Sequence, residues 1–432
     1  MTNSLGVEEL PGDSAYPHGR KRVLLFADDM SEEGGIRTRI LGELSVAASY
    51  VDLVVIAKIR ARNIHRIGGL RTAIDSRRKG IEIWLVPTLP HGGVRIAREV
   101  VTLFNILLLA LVGFLAIVRS RPSSFYSHNV DCSAAALLLG KLLKVPVTAD
   151  LHGDEAEENI VLCGWKRDGF RFRYWHRLLE RIVLNSKTVV CVSHAHKSFL
   201  ESTYGREGRT IVIPCCVEAG KVRDQETEMG VSECIPSRNQ KGIVLFYAGS
   251  ASKWQMIDKI AEFYVAVRKT IPGVSLLMLI SEKRLLDKVK GCFPPSCRPN
   301  VSVYSVSHEQ VARMAAGADI ALLFRLDMTM NRIASPTKFA EYLMAGLPLL
   351  ITPHVGDYSD LVESEHLGKV VDVSRISNAD YACAVVKEVL LDSSIKARCI
   401  DYATRNLTWQ SYSEQVRCAF ISDQAQDQVG NL

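Results

Sequence analysis

The chain has 432 residues, of which 47% are hydrophobic and 23% charged, and these ordinary globular values exclude a disordered or fibrous chain. Its length exceeds one ordinary hydrophobic core, so we expect two domains. A net charge of +6 is too small to indicate nucleic-acid binding by itself. The 11 cysteines are odd in number and scattered, and no apolar leader follows Met1, so free thiols in a reducing cytoplasm are expected.

Short apolar runs alternate with helical patterns along the first half of the chain. The runs are continuous and rich in β-branched residues, as expected of parallel strands buried on both faces. They lie at 22–27, 51–57, 81–86, 124–128, 146–151, 188–193 and 211–214, with helical patterns that include 36–48, 134–143 and 170–184. This repetition predicts a Rossmann-like, doubly wound α/β domain over 21–217, after a flexible N-terminus at 1–20.

A polar segment without apolar periodicity, 218–241, predicts a linker between two domains. Strand-like runs then return at 242–248, 275–280, 301–304, 319–324, 347–352 and 369–373. We therefore expect a second Rossmann-like domain over 242–405, a C-terminal helix at 406–422 that packs back across the domains, and a flexible tail at 423–432. Ligands of such sheets bind beyond the carboxyl ends of the strands, so the cleft between the domains is the expected site.

Two segments of the first domain raise the question of a membrane. Residues 100–118 are apolar apart from Thr102 and Asn105, and are just long enough to span a bilayer. Two arginines, Pro122 and a strand pattern follow at once, which favours a helix inside the α/β domain. Residues 164–181 interleave aromatic side chains with arginines. No RNA-binding motif accompanies them, so a membrane-surface element and a solvated helix face stay open.

The stretch 334–350, ASPTKFAEYLMAGLPLL, predicts a short helix whose mouth binds an anion. Ser335 suits an N-cap and Pro336 the first helical position, which leaves unpaired N–H groups at the positive end of the helix dipole. Lys338 could reach a phosphate, and Glu341 could accept two ribose hydroxyls. The same residues also fit a helix that Ser335 and Pro336 only cap, with Glu341 as a surface charge. The stretch alone does not decide between this interpretation and a ligand site.

Glycines follow the first strand of each domain. Gly249 lets the backbone come close to a ligand, and Lys253 follows it within reach of a diphosphate. In the first domain, Gly34 and Gly35 precede the first helix. The pattern is not GxGxxG and no acidic residue ends the second strand, so a nicotinamide-binding site is disfavoured.

These motifs resemble the family 4 retaining glycosyltransferases of the GT-B fold, also called glycosyl transferases group 1. The resemblance covers about 21–421 and is strongest at SPTKFAEYLMAGLPLL and at YAGSASKWQ. It continues in the early GGI loop, in DLHGDEAEE at 150–158, in VVCVSHAHKSFL and in IPCCVE. In that family the second domain binds a nucleotide-diphosphate sugar, and transfer needs neither a metal nor a cofactor.

The resemblance implies a role for each matching residue. Glu341 would hold the ribose, Lys253 and the glycine loop would contact the diphosphate, and His152 would contact the donor sugar near the reacting carbon. The expected catalytic residues are His152, Lys253 and Glu341. The expected donor-binding residues are Gly34, Gly35, Gly249, Ser250, Lys253, Arg325, Ser335, Pro336, Thr337, Lys338 and Glu341.

The sequence departs from the family pattern in two places. Ile333 stands where the family often has a first glutamate that binds a donor-sugar hydroxyl. The usual basic pair is reduced to Lys253, flanked by Ser250 and Ser252, and Arg325 could supply the missing cation. Both departures concern the identity of the donor sugar more than the reaction class.

We therefore expect a retaining glycosyltransferase of the hexosyltransferase type in surface polysaccharide or glycoconjugate biosynthesis. Its partners would be a nucleotide-sugar donor and a glycan, lipid-linked or other acceptor, and not nucleic acid. One carboxylate near His152 would position the acceptor. A cytoplasmic location is expected, with peripheral association at the inner face of the plasma membrane left open. A nucleotide-sugar epimerase of the same fold and a catalytically silent GT-B-like binding subunit remain alternatives, and Ile333 favours the latter.

Overall fold

The computed structural model describes residues 20–30, 35–75, 81–89, 98–218 and 242–421. The predicted N-terminal segment up to residue 19, nearly all of the predicted linker and the predicted C-terminal tail therefore lie outside the described residues.

The first domain is built on a seven-stranded parallel sheet with the order β3-β2-β1-β4-β5-β6-β7. Its strands are β1 Arg22–Ala27, β2 Asp52–Arg60, β3 Glu82–Thr88, β4 Ser124–His128, β5 Val147–Leu151, β6 Thr188–Cys191 and β7 Thr210–Val212. Its helices are α1 Gly35–Ala47, α2 Ile67–Asp75, α3 Arg98–Ser120, α4 Asn129–Leu143, α5 Glu155–Cys163, α6 Phe170–Asn185 and α7 His194–Tyr204. The strand order reverses between β1 and β4, and the carboxyl ends of these strands open the cleft there.

The second domain carries a six-stranded parallel sheet with the order β10-β9-β8-β11-β12-β13. Its strands are β8 Val244–Gly249, β9 Ser275–Ile280, β10 Val301–Tyr304, β11 Ile320–Leu323, β12 Leu349–Ile351 and β13 Gly368–Val370. The helices from here to the C-terminus are α8 Ile257–Thr270, α9 Leu286–Gly291, α10 His308–Ala316, α11 Thr329–Arg332, α12 Thr337–Met344, α13 Tyr358–Ser364, α14 Ala379–Leu391, α15 Ile395–Asn406 and α16 Ser413–Phe420. Each predicted strand overlaps one observed strand, with ends that differ by up to three residues, and the α/β class with two doubly wound sheets is confirmed.

Both faces of the first sheet are covered, because alternate residues of each buried strand point to opposite sides. Val23 and Leu25 of β1 pack on one face with α1 and α16. Leu24 and Phe26 pack on the other face with α3 and α4. This layering explains why the strands are continuous apolar runs.

The last helix returns to the first domain. Val217, at the end of that domain, forms a parallel bridge with Thr408, and Trp409 donates its backbone N–H to the Val217 carbonyl at 3.2 Å. In α16 the Phe420 ring stacks on Tyr126 of β4 with ring centroids 4.0 Å apart. The helix itself begins at Ser413, later than the predicted 406, because α15 continues to Asn406.

Gly42 of α1 lies against the fully buried Trp409, where a Cβ atom would stand 2.0 Å from the indole Nε1. We expect Gly42→Ala to lower the free energy of unfolding by about 1–3 kcal/mol, because the added methyl overpacks this contact. Gly69→Ala in α2 is the matched control, since nothing lies within 4 Å of its added Cβ. The control should raise stability by up to about 1 kcal/mol. Denaturant unfolding measures both, and equal stabilities of the two variants would contradict the packing argument.

The apolar segment at 100–118 lies within α3, the crossover helix between β3 and β4. By length and a mean hydropathy of 2.7 it is the one helix among the described residues that could cross a membrane, and 44% of its most apolar window is buried in the protein. Asn105 turns inward, where its side chain exchanges two hydrogen bonds of 3.1 Å with the backbone of Leu89. The structure therefore makes α3 a layer of the domain with one buried face.

Candidate donor and transfer site

The mouth of α12 opens at the switch point of the second sheet, where β8 and β11 are neighbours. The helix begins at Thr337 with Pro336 at the N-cap position, and no side chain caps it. The expectation that Ser335 is the N-cap and Pro336 the first helical residue is therefore wrong by one position. The Phe339 N–H of the first turn donates to the Pro336 carbonyl at 3.0 Å, and the absence of a side-chain cap leaves the start of the helix suited to an anion.

The Ser335 side chain does not cap α12 because its hydroxyl forms other hydrogen bonds. Its buried Oγ accepts a hydrogen bond from the Cys215 backbone N–H at 2.9 Å and shares another with the Tyr358 hydroxyl at 2.6 Å. Cys215 belongs to the first domain, so Ser335 joins the two domains beside the helix mouth.

The glycine loop of the first domain faces the helix mouth across the cleft. A Cβ atom at Gly35 would lie 3.8 Å from the Thr337 Oγ1. A diphosphate held at the α12 mouth would therefore lie within reach of the backbone at Gly35. Gly34, the other predicted glycine, lies outside the described residues.

Lys338 reaches from the first turn of α12 to the end of β8. Its Nζ donates to the Gln255 Oε1 at 2.9 Å and lies 3.3 Å from the Tyr247 hydroxyl. A Cβ atom at Gly249, whose φ is +145°, would stand 2.1 Å from this Nζ, so only glycine leaves room for the lysine. Burial, and then the nearby Arg325, hold the pKa of Lys338 well below its usual value.

Arg325 is the second cation at this place. It follows β11 and donates from Nη1 to the Asn331 Oδ1 at 3.2 Å, while its buried Nε has no hydrogen-bond partner. Burial lowers its pKa. Within the part of the chain that the structure describes, neither Arg325 nor Lys338 forms an ion pair. Two neighbouring, partly desolvated cations without a carboxylate partner form a site that an anion would stabilise.

The other predicted donor residues surround this cation pair. Lys253 is exposed on a short 3₁₀ helix, Lys253–Gln255, at the rim of the site rather than within it. Ser250 and Ser252 share a hydrogen bond of 2.9 Å between their hydroxyls. Glu341 is partly buried on the same helix as Lys338, and its negative charge favours protonation of that lysine. The inner basic pair is thus Lys338 with Arg325.

His152 lies at the carboxyl end of β5, in a buried polar network that the sequence did not reveal. Its Nε2 is 3.2 Å from the Asp150 Oδ2, and the Nδ1 of His128 is 3.1 Å from the same oxygen. Arg39 of α1 donates from Nε and Nη2 to both Asp150 oxygens at 2.9 Å. Asp150 therefore orients His152 at the cleft.

The charges of this network follow from its partners. Burial opposes ionisation of Asp150, but Arg39 and His152 hold its pKa well below the usual range. Burial, and then the negative charge of Asp150, raise the pKa of Glu43, which lies 3.1 Å from Arg39. Burial lowers the pKa of His128. The network thus holds one buried arginine–carboxylate pair, beside a glutamic acid and a histidine whose charged forms burial disfavours.

Three groups of this network also have the spacing of a metal site. Ligand atoms of His128, Asp150 and His152 lie within 4.8 Å of one another. Both Asp150 oxygens already accept hydrogen bonds from Arg39, so a metal ion would compete with that buried pair. The ion pair explains the arrangement, and metal-independent transfer stays a prediction.

The acids that follow His152 divide into two groups. Asp154 caps α5 by accepting from the Glu157 backbone N–H at 2.9 Å, and Glu157 forms an ion pair with Arg167. These two are structural. Glu155 and Glu158 remain at the cleft: burial, first of all, raises their pKa values to about 8 and about 7.

Ile333, at the position of the family's first glutamate, is buried at the contact between the domains. Its carbonyl accepts a hydrogen bond from the Ser193 Oγ at 2.8 Å. Nearby, the Asp357 carboxylate accepts from the backbone N–H groups of His194 and Ala195 at 2.7 and 2.9 Å, so the second domain caps α7 of the first. Position 333 thus serves domain contact here.

The raised pKa of Glu155 predicts a pH dependence of stability. Between about pH 4.5 and pH 8 the native state keeps a proton that the unfolded chain releases, so stability falls as pH rises through this window. Glu155→Gln mimics the protonated side chain. We expect its thermal midpoint, relative to wild type, to rise by on the order of 2–4 °C between pH 5 and pH 9.

The matched control is Glu180→Gln, which changes an exposed acid of α6. Its midpoint relative to wild type should stay constant across the same pH range. Parallel curves for wild type and Glu155→Gln would show that Glu155 does not retain a proton in the native state.

Comparisons with known proteins agree with this architecture. The Glycosyltransferase Family 4 model matches residues 76–221. No curated protein sequence matches the chain.

Among solved structures, the sucrose-phosphate synthase of Thermosynechococcus elongatus superposes with a TM-score of 0.65 at 13% identity, covering 92% of this chain and 97% of that one. The glycosyltransferase WaaG of lipopolysaccharide biosynthesis gives 0.64 at 14% identity, with 93% and 100% coverage. HepE of Anabaena, solved with UDP and glucose, gives 0.64 at 13% identity, with 92% and 98% coverage. Identities this low establish the fold alone. Residues 76–221 therefore match the family 4 glycosyltransferases, and the chain as a whole has the GT-B fold.

Proposed function

We propose that this glycosyltransferase moves a hexosyl group from a nucleotide-diphosphate sugar to a glycan or lipid-linked acceptor, with retention of the anomeric configuration. The observation that carries the proposal is the uncapped mouth of α12, opposite Gly35 and beside Lys338 and Arg325, which form no ion pair with any residue that the structure describes. A diphosphate is the anion whose size and charge suit two cations and a helix mouth together. HepE was solved with UDP and with UDP-glucose, so a uridine donor is the first to try.

The chemistry proposed for this site is largely electrostatic. The bond between the sugar C1 and the diphosphate oxygen breaks, the acceptor oxygen bonds to C1 on the same face, and the acceptor proton passes to the departing diphosphate. Lys338, Arg325 and the α12 mouth would stabilise the charge on the leaving group, with Lys253 at the rim. His152, fixed by Asp150, would contact the donor sugar. The contacts of Ser193 and Asp357 across the cleft would hold the closed arrangement, which limits hydrolysis.

Acceptor positioning is proposed for the partly buried acids of α5. Glu158 lies beside Gly153, where a Cβ atom would stand 2.5 Å from its Oε1, and Gly153 directly follows His152. The backbone N–H of Val130 donates to the Glu155 Oε1 at 3.4 Å. Hydroxyl groups of a sugar acceptor are suitable partners for these carboxyls, because a carboxyl group both accepts and, when protonated, donates. The same helix comes close to α11, which immediately precedes Ile333.

The setting we propose is the cytoplasm, at the inner face of the plasma membrane, with the product entering a surface polysaccharide or glycoconjugate. Transfer would need no metal, cofactor or nucleic acid. Incubation with a panel of nucleotide sugars and acceptors, followed by NMR of the products, tests the function. A new glycosidic bond with the donor's anomeric configuration supports it. An isomerised donor would favour the epimerase, and an unchanged donor with retained nucleotide binding would favour the silent subunit.

Glu341 offers a specific test of the donor site. We expect Glu341→Gln to weaken nucleotide-sugar binding about 10–100-fold, because a charged acceptor of two ribose hydroxyls becomes a neutral one. Glu365→Gln, at an exposed position on the same domain, is the control. Isothermal titration calorimetry gives the affinities, and an unchanged dissociation constant for Glu341→Gln would remove this residue from the site.

A further inference from the structure

The outward side of α3 carries a continuous stripe of large apolar side chains in contact with solvent. They recur with helical spacing and are 42–62% exposed: Val100, Leu103, Phe104, Leu107, Leu111, Phe114, Leu115 and Val118. The opposite side of the same helix is packed on the sheet and on α4. Core packing therefore explains only half of the apolar residues of α3.

The stripe continues onto α4. Gly113 of α3 meets Leu139 of α4, so the two helices lie side by side there. Next to this contact, Leu138 and Leu142 of α4 are 51% and 72% exposed. Contiguous apolar patches of this extent are rare on soluble proteins unless something covers them. We call the outward faces of α3 and α4 the apolar face.

Cations border the apolar face. Arg121 follows the C-terminal end of α3, and Lys141 and Lys144 lie at the end of α4, all exposed. On α6, which packs beside α4 on the same side of the sheet, Arg177 and Arg181 are exposed one turn apart. Among the described residues none of these five side chains takes part in an ion pair.

From this arrangement we propose that the apolar face docks flat on the surface of an anionic bilayer, with α3 lying in the interface and the bordering cations at the lipid phosphates. Apolar side chains on one side of a helix, edged by free cations, match the acyl boundary and the headgroups respectively. Self-association through the same face would bring equal positive charges together around a two-fold axis. The charges therefore favour the bilayer as the occupant.

The position of α3 relative to the cleft gives the docking a function. Arg98, at the start of α3, donates from Nη1 to the Asn159 Oδ1 of α5 at 2.6 Å. α5 follows His152 and carries Glu155 and Glu158. The edge of the cleft thus lies at the N-terminal end of the docked helix. An acceptor with a lipid tail would present its headgroup beside α5 without leaving the bilayer. This part of the inference rests on the proposed glycosyl transfer.

The test is co-flotation of the full-length protein with vesicles. We expect binding to phosphatidylcholine vesicles containing about 30% phosphatidylglycerol, weaker binding to pure phosphatidylcholine, and weakening by salt. Leu107→Ser/Leu111→Ser should lower the partition coefficient about tenfold or more. Arg177→Glu/Arg181→Glu should remove most of the preference for anionic vesicles. Leu326→Ser/Leu391→Ser, at exposed positions of the second domain, is the matched control and should bind as wild type.

Circular dichroism and the thermal midpoint establish that each variant is folded, which is expected because every substituted side chain is exposed. Binding that is absent, or unchanged in Leu107→Ser/Leu111→Ser, overturns the inference. So does a wild-type dimer that dissociates in this variant while no vesicle binds. Nucleotide binding and transfer to a detergent-soluble acceptor are measured in parallel: their persistence without vesicle binding would reject the docking alone, whereas their absence would reject the proposed transfer.

Discussion

Lys338→Met should lower the rate of sugar transfer by about 10²–10³-fold while leaving the fold intact. Lys338 is the cation closest to the end of β8 and reaches it only because Gly249 has no side chain. In the free protein its Nζ contacts neutral groups, the Gln255 amide and the Tyr247 hydroxyl. Its interaction with a leaving diphosphate strengthens as charge develops there, so its loss should appear mainly in kcat.

Methionine keeps the length of the lysine stem and relieves a partly buried charge, so stability should be equal or higher. Lys253→Met is the matched comparison, because Lys253 is exposed at the rim. We expect it to raise KM several-fold with a smaller loss of kcat. A larger effect of Lys253→Met than of Lys338→Met on kcat would reverse the two assignments.

Asp150→Asn should destabilise the protein by about 3–5 kcal/mol. Asp150 is the charged partner of the fully buried Arg39, and its replacement leaves Glu43, whose ionisation burial opposes, as the carboxyl group beside that guanidinium. The same substitution frees His152 and His128 from the oxygen that both contact. The loss of transfer activity should therefore exceed what the unfolded fraction explains.

A double variant separates charge from packing. Arg39→Met/Asp150→Asn removes both charges, so it should recover part of the stability lost by Asp150→Asn alone. Asp360→Asn, an exposed acid of α13, serves as the control. Denaturant unfolding at pH 7 measures all three, and an Asp150→Asn variant as stable as wild type would show that the buried pair contributes nothing.

The fold was predictable because its strands are buried on both faces. Short, continuous apolar runs that are rich in β-branched residues favour strands over helices, and each of these runs formed a strand. The ends of the strands were less predictable. The strand β12, for example, covers only Leu349–Ile351, the residues that pair with β11 on one side and β13 on the other. Ser335 illustrates the limit for caps: local preference favours serine at the N-cap, but a contact with Cys215 of the other domain determines its place.

The position of the candidate site could be predicted where its residues lie within one segment of the sequence. Gly249, Lys338 and Glu341 follow from motifs of a few residues. The motifs do not predict how deeply each cation is buried in the site. Lys338 becomes the inner cation because its side chain packs between Tyr247 and Gln255. The Arg39–Asp150 pair joins residues 111 apart in sequence, and His128 resembles any strand-end histidine. The one local signal was Arg39 and Glu43, four residues apart in an apolar helix.

The central claim is that Lys338 and Arg325 form a diphosphate site at the mouth of α12. Calorimetric titration of wild type and Lys338→Met/Arg325→Met with nucleoside diphosphates and the matching monophosphates tests it most directly. We predict that at least one diphosphate binds wild type, that its monophosphate binds at least about tenfold more weakly, and that the double variant loses this difference. Equal binding of mono- and diphosphates by wild type, or an undiminished preference in the folded double variant, would contradict the claim.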